Sequence, residues 1–319
     1  MSTTPEPPRA LPVVTPEQDA PCAPAAVDKA FRDAVTFAFG DPVAKLYGQA
    51  RIGLGAGGAS GLALLFAGSE VAAASTASAV AAGDGSTGMP SSWDGVRVAG
   101  LQTTVEEPLA AWTLRFEREG AGFDLRFEAR SAPAVLAADT EVARTGGMEG
   151  SEQLCSVTGT VTLDGRARRV DCLGQRGHIW GATDWKRIEL ARTLSAWLGA
   201  DRAIMLAAAR PARARGHGEE AIAGWLVDGG EPSPIEDPRL STTYDGELRQ
   251  QRAGLELWMD EESQIARRAS GRVVCGTTLD LGDVRLDSSF FTWRMEGREG
   301  VGRYDVMRRV GNGAAGRKR

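Results

Sequence analysis

The thirteen residues from Leu173 to Trp185, LGQRGHIWGATDW, gather more reactive side chains than any other window of this chain. They hold one of its two histidines, two of its eight tryptophans, an arginine and an aspartate, with glycines on either side. Such a set suits acid-initiated chemistry: one protonated acid beside an alkene or carbonyl, and aromatic faces to stabilise the cation that develops. Asp184, if buried near Trp180 and Trp185, would have its pKa raised by desolvation, and His178 would donate the proton or return it. Trp180 would add about 0.5 to 2 kcal/mol of cation–π stabilisation, which assists but does not carry catalysis alone. Arg176, His178 or Trp180 could also donate a hydrogen bond to a carbonyl. The plainer readings are a structural hydrogen-bonding histidine and, for Asp184, an ordinary turn residue before a strand.

Six of the eight tryptophans, Trp180, Trp185, Trp197, Trp225, Trp258 and Trp293, lie in the second half, usually one per candidate strand. Singly, each suits a barrel core; together, Trp185, Trp197, Trp225 and Trp258, with Arg176, could wall an apolar ligand cavity. Other motifs carry less. Gly53, Gly55 and Gly58 spell GxGxxG, but Gly61 and Gly68 interrupt the helix a dinucleotide site requires, and Glu70 comes too early to hold a ribose. Two strands joined by a glycine-rich loop fit better. Cys22, Cys155, Cys172 and Cys275 show no CxxC spacing and no nearby histidine, so neither a metal site nor any cofactor is expected. Cys155 and Cys172 could lie near each other on paired strands and are expected as buried thiols. His217 sits in a polar loop and is expected in solvent. No serine occupies a G-x-S-x-G turn, and Glu219-Glu220 and Glu261-Glu262 read as solvated faces.

The elements that must position these residues are strands. With 42% hydrophobic residues the 319-residue chain is long enough for two domains, and its 40 glycines punctuate short apolar runs. A formal charge of -5 argues against a nucleic-acid surface. The opening lacks the basic start and apolar core of a secretory signal, and no apolar run approaches the ~20 residues of a membrane span, so a cytoplasmic protein is expected. Residues 1–25 are proline-rich and read as a disordered leader. Residues 25–37 permit a short helix or a strand, and 72–82 likewise. Alternation is plain in Trp112-Leu114-Phe116 and in Phe123-Leu125-Phe127, joined through Glu119 to Gly122. A second hairpin runs through Asp164-Gly165, a type I′ signal. Further strands are expected at 189–197, 203–209, 221–227, 249–258, 267–277, 290–296 and 301–310, too closely spaced for the helices of a parallel sheet. Residues 312–319 read as a flexible tail.

GHIWGATDW resembles the D-H-x-W-G motif of carotenoid 1,2-hydratases of the hydroxyneurosporene-synthase type and their AttH-like relatives in the calycin superfamily. The likeness extends from the segment 107–112 through the Glu152-Gln153 strand and the Asp164-Gly165 hairpin to Trp197. It implies two lipocalin-like barrels packed together round an apolar substrate cavity; tocopherol cyclases and cyclases resembling Diels-Alderases share the superfamily. His178, Trp180 and Gly181 match, whereas Gly177 stands where the acid should be. The tyrosine and aspartate of the following strand are replaced by the apolar run 203–209. The expectation is therefore an all-β protein with few short helices, an N-terminal barrel over 26–148 and a C-terminal barrel over 149–311 carrying the His178 cluster. Its expected ligand is an apolar isoprenoid or polyketide-like small molecule, handled by a hydro-lyase, isomerase or cyclase, or else carried without catalysis.

Overall fold

The computed structural model describes residues 13–22, 30–80, 90–260, 262 and 264–310, with the side chains of 79, 80 and 217 outside the description. The expectations for the tail, for most of the leader and for the His217 side chain lie outside the described residues. The chain is all-β, in two antiparallel sheets. The first contains β1 (Arg32–Asp41), β2 (Leu46–Gly55), β3 (Gly58–Ala67), β4 (Glu70–Val80), β5 (Arg97–Val98), β6 (Leu101–Glu107), β7 (Ala111–Arg118), β8 (Ala121–Ala129), β9 (Ala134–Leu136), β10 (Met148–Leu163) and β11 (Arg166–Gly181). One short helix, α1 (Glu141–Gly146), precedes β10; Thr140 caps its first turn and Gly147, at φ 65°, ends it. The second sheet contains β12 (Ile188–Gly199), β13 (Arg202–Pro211), β14 (Ala221–Asp228), β15 (Glu231–Pro234), β16 (Asp237–Tyr244), β17 (Gln250–Trp258), β18 (Arg267–Asp280), β19 (Val284–Met295) and β20 (Arg298–Arg309).

The first sheet runs β4-β3-β2-β1-β11-β10-β8-β7-β6-β5, with β9 beside β10, and curls until Val98 on one edge strand packs by Gly61 on β3. The second runs β15-β14-β13-β12-β20-β19-β18-β17-β16 and curls likewise, Pro238 on the edge strand β16 packing by Gly224 on β14. This is the architecture of two packed lipocalin-like barrels. The ambiguous stretches resolve as strands: β1 takes over from residue 32, and β4 spans 70–80. GxGxxG closes the β2–β3 hairpin rather than opening a helix. At the β10–β11 turn Asp164 and Gly165 adopt φ 50° and 72°, the pair of left-handed residues that a two-residue turn needs to follow the strand twist.

Two expectations are corrected. The boundary near residue 149 falls inside the first sheet, because β10 and β11 pair with β8 and β1; the chain crosses between sheets at Ala182–Arg187, so His178 belongs to the first barrel. The reason is the length of the β10–β11 hairpin: two 16-residue strands reach across a whole barrel, and a break in composition before them is no break in pairing. The leader is also not wholly loose. Pro16–Asp19 forms a 3-10 turn, and Asp19 is buried against the first barrel, where it finds the donors that an isolated leader would lack. β15 and β16 were not legible, since Pro232, Pro234 and Pro238 mask a pattern confined to an edge of the sheet.

Among the described residues the buried apolar side chains gather in three large cores, with a small fourth under α1. Phe37, Trp112, Phe116 and Phe127 lie inside the first barrel, and Phe291, Trp293 and Tyr304 inside the second. A third fills the seam between barrels, where Phe290 packs 5.6 Å from Tyr47, 6.0 Å from Phe66 and 6.5 Å from Trp197. Each strand at the seam therefore buries both faces, one in its barrel and one against the other barrel. This double burial explains the unbroken burial of β1 from Asp33 to Asp41.

Candidate functional site

Strand alternation divides the Leu173–Trp185 window between two places. Arg176, His178 and Trp180 point into the first barrel, while Gln175 and Gly177 face the seam. Inside the barrel, His178 is buried and its Nε2 lies 2.7 Å from Oδ1 of Asp33, the β1 residue opposite Trp180. The Trp93 ring meets His178 edge-on at 5.7 Å and the Trp180 ring lies at 4.9 Å. The other Asp33 oxygen accepts from the Cys22 amide at 2.5 Å. One layer deeper, the Arg176 guanidinium stacks 4.1 Å over Trp112, pairs with Asp19 and donates to Gln153 Oε1 at 3.1 Å. Asp19 also accepts from the Leu109 amide and from Trp112 Nε1. Replacing Asp19 by asparagine removes the charge that faces Arg176 and is expected to cost about 1.5 to 3 kcal/mol in denaturant unfolding, with faster proteolysis of the leader.

Asp184 does not join this group. It is exposed, and its Oδ1 accepts from the Lys186 amide in the crossing between sheets, which makes Asp33 the carboxylate partner of His178. Asp184→Asn is accordingly expected to change stability by no more than about 0.5 kcal/mol, measured by urea unfolding. Trp185, half-buried, lies in the same crossing. Trp197 and Trp225 belong to the seam core, whereas Trp258 stands on the second barrel with the Arg239 guanidinium 5.7 Å over its ring. The tryptophans thus do not wall one cavity. A cleft of about 880 Å³ lies over β16–β20 of the second barrel. Its rim is charged but self-paired, Arg268 with Glu256 and Arg294 with Glu299, so its charges are already spoken for.

Many of the buried polar atoms that lack hydrogen-bond partners among the described residues lie at the seam. Thr36, Gln49, Glu152 and Gln175 project from the first barrel, and Ser195, Ser288, Arg303 and Asp305 from the second. Arg303 Nη2 lies 3.7 Å from Glu152 Oε1 across the seam, and its Nε 3.5 Å from Asp305 Oδ2. Thr36 Oγ1, Gln49 Oε1, Ser195 Oγ, Trp197 Nε1, Arg303 Nε and Asp305 Oδ1 find no hydrogen-bond partner among the described residues, while the Gln175 amide and the Ser288 hydroxyl lie close enough to the Glu152 and Asp305 carboxyl groups to act against the rise in their pKa. Folded proteins keep such groups few, because each unpaired buried donor or acceptor costs about 1 to 3 kcal/mol. Here they converge on two carboxyl groups. Burial pushes the pKa of Glu152 up, with Arg303 opposing and Asp305 adding to the rise. Burial likewise raises that of Asp305, again opposed by Arg303. The seam therefore offers carboxylic acids held toward their protonated form, a cation, two amides and hydroxyls, framed by Tyr47, Phe66, Trp197, Met205, Trp225 and Phe290.

Sequence reasoning placed Glu152 on a strand but gave it no role. The available signal was Gly177: a Cβ there would stand 2.7 Å from Thr36 Oγ1 and 3.4 Å from Glu152 Cγ. The acid of a D-H-x-W-G motif, one residue before the histidine, faces the side opposite to it. In this chain that side is the seam, and Glu152, the register partner of Gly177 on β10, brings a carboxyl group to the same spot.

The family model described as "Domain of unknown function (DUF7064)" matches residues 15–310. No curated protein matches the sequence. Among solved structures, an AttH assignment from Nitrosomonas europaea is 13% identical over 96% of this chain and 99% of its own, with a TM-score of 0.65. CghA with Sch210972 is 12% identical over 88% and 89%, with a TM-score of 0.60. Kievitone hydratase from Nectria haematococca is 11% identical over 87% and 88%, with a TM-score of 0.59. At these identities the likeness is one of fold. No helix among the described residues is long and apolar enough to cross a membrane.

Proposed function

The chain belongs to the DUF7064 family, and we propose that it acts by acid-assisted hydration, isomerisation or cyclisation on an apolar small molecule, isoprenoid or polyketide-like, held in the seam between its barrels. One observation carries this reading: the unpartnered polar atoms of the seam converge on Glu152 and Asp305 within an aromatic frame. The seam is packed in this structure, so ligand entry requires its side chains to part; a ligand with a long apolar body and one or two oxygen functions then matches that division, its body against Trp197, Trp225 and Phe290 and its oxygens toward Arg303 and the Gln49 and Gln175 amides. Protonated Glu152 then gives its proton to the carbonyl oxygen or alkene carbon, and Arg303 stabilises negative charge developing on oxygen. Gln49 and Gln175 fix the register of the bound molecule. His178 and Trp180, on the other face of β11, hold that strand in place through Asp33 and Trp93. Fold likeness to proteins that include a hydratase supports the reaction class, and the solved complex of CghA with Sch210972 supports a small-molecule ligand.

The test uses the purified full chain with two probes, an acyclic isoprenoid polyene and a linear polyene ketone. Native mass spectrometry and quenching of tryptophan fluorescence read binding, and chromatography reads conversion. Wild type is expected to bind and convert at least one, and Ser288→Phe, which fills the seam, to lose binding. Undiminished binding in Ser288→Phe would place the ligand elsewhere. Binding by wild type without conversion would make the protein a carrier.

A further inference from the structure

Cys22, Asp33 and His178 are far apart in sequence, yet one ligand atom from each lies within 4.8 Å of the others at the first barrel. We propose that Cys22 Sγ, Asp33 and His178 Nε2 form a binding site for a borderline-soft divalent cation of the zinc type, with a fourth position open toward Glu149. Sulfur, nitrogen and oxygen donors in one cluster are the set that zinc and cobalt take, and three protein ligands with one open position is a recurrent zinc arrangement.

Three features beyond proximity favour the site. It is assembled from rigid pieces, since Asp33 and His178 sit on paired strands, with Trp93 and Trp180 fixing the imidazole. The leader is delivered to it: Asp19, three residues before Cys22, is pinned by Arg176, Trp112 and Leu109, and the Cys22 amide donates to Asp33. The electrostatics also call for a cation. Two acidic side chains, Asp33 and Glu149, act on the Cys22 sulfur. Arg51 is close enough to Asp33 to feel its charge, and Arg32 stands beside Arg51; both are long side chains of the opposite strand face.

The balance is simple. The cation takes the place of the proton between His178 Nε2 and Asp33, which moves to Nδ1, and the thiol proton alone is released to solvent. Imidazole binds as the neutral form protonated on Nδ1. Donor atoms round a tetrahedral zinc lie roughly 3.2 to 3.6 Å apart, so the 2.7 Å contact of His178 with Asp33 opens slightly and Cys22 closes in. Release of the thiol proton makes affinity rise with pH, about tenfold per unit. The site is independent of the acid chemistry proposed for Glu152, which lies on the other face of the sheet.

Cobalt(II) is the probe. The chelator-treated full chain is titrated anaerobically with Co²⁺, then with competing Zn²⁺. One equivalent is expected to give an intense near-ultraviolet thiolate-to-cobalt band with visible ligand-field bands, which zinc bleaches. Cys22→Ser is expected to lose the charge-transfer band and bind at least about 100-fold more weakly, and Glu152→Gln to titrate as wild type. His178→Ala is expected to lose both sets of bands; should it fail to fold, Cys22→Ser, whose change lies in the leader, still decides. No saturable band in wild type, or the same band in Cys22→Ser, would mean an adventitious ion only and overturn the site.

Discussion

Glu152→Gln is expected to abolish conversion of the seam-bound substrate, by about 10² to 10⁴-fold, while leaving the thermal midpoint unchanged or raised. The activity loss follows from the role of proton donor, which an amide cannot fill. The stability outcome follows from the raised pKa of the carboxyl group. Because the folded-state pKa lies above the unfolded value, the fold favours the protonated acid. The stability this group contributes is complete below the unfolded pKa and is lost as pH rises through the folded one. Glutamine keeps the shape and an oxygen for Arg303 without the buried charge, so it escapes that loss. A structural salt-bridge partner of Arg303 would behave in the opposite way, with destabilisation at neutral pH. The wild-type rate is expected to fall as pH rises through the raised pKa of Glu152. Scanning calorimetry and a pH–rate profile together separate the two readings.

Arg303→Met is expected to destabilise the protein by about 3 to 5 kcal/mol at pH 8 and by much less at pH 4. Arg303 is the cation that opposes the rise at both Glu152 and Asp305, 3.7 and 3.5 Å away, and it is itself buried. Without it two carboxylates share the seam uncompensated, and both pKa values move further up. At low pH both are protonated and the cost falls to lost packing, which methionine largely replaces. Urea midpoints measured from pH 4 to pH 8 are expected to diverge from wild type as pH rises. Parallel curves would show that the two acids do not depend on Arg303. Combining Arg303→Met with Glu152→Gln is expected to recover much of the loss, since only one charge then remains.

Most strands of the second barrel, β15 and β16 excepted, and the two hairpins of the first were legible because alternation and Asp-Gly turns are local: a period of two and a left-handed pair act within a few residues. The same locality explains the errors. The alanine-rich stretch 131–150, ending in Gly146-Gly147, looked like a boundary, but strand pairing ignores composition and carries β10 and β11 back to β8 and β1. Proline-rich residues looked unstructured because their partners, Arg176 and Trp112, come some 90 to 160 positions later.

By itself the sequence determined that the protein is all-β, that its strands bury one or both faces, and that Leu173–Trp185 lies where chemistry can be held. Only the tertiary structure decided which chemistry, because successive residues of a strand face opposite sides. The window that reads as one cluster is two: His178 and Trp180 turn inward to Asp33 and Cys22, and Gly177 and Gln175 turn outward to Glu152 and Arg303. Each group is completed by residues from distant strands, and the distance between faces of a sheet has no counterpart along the chain.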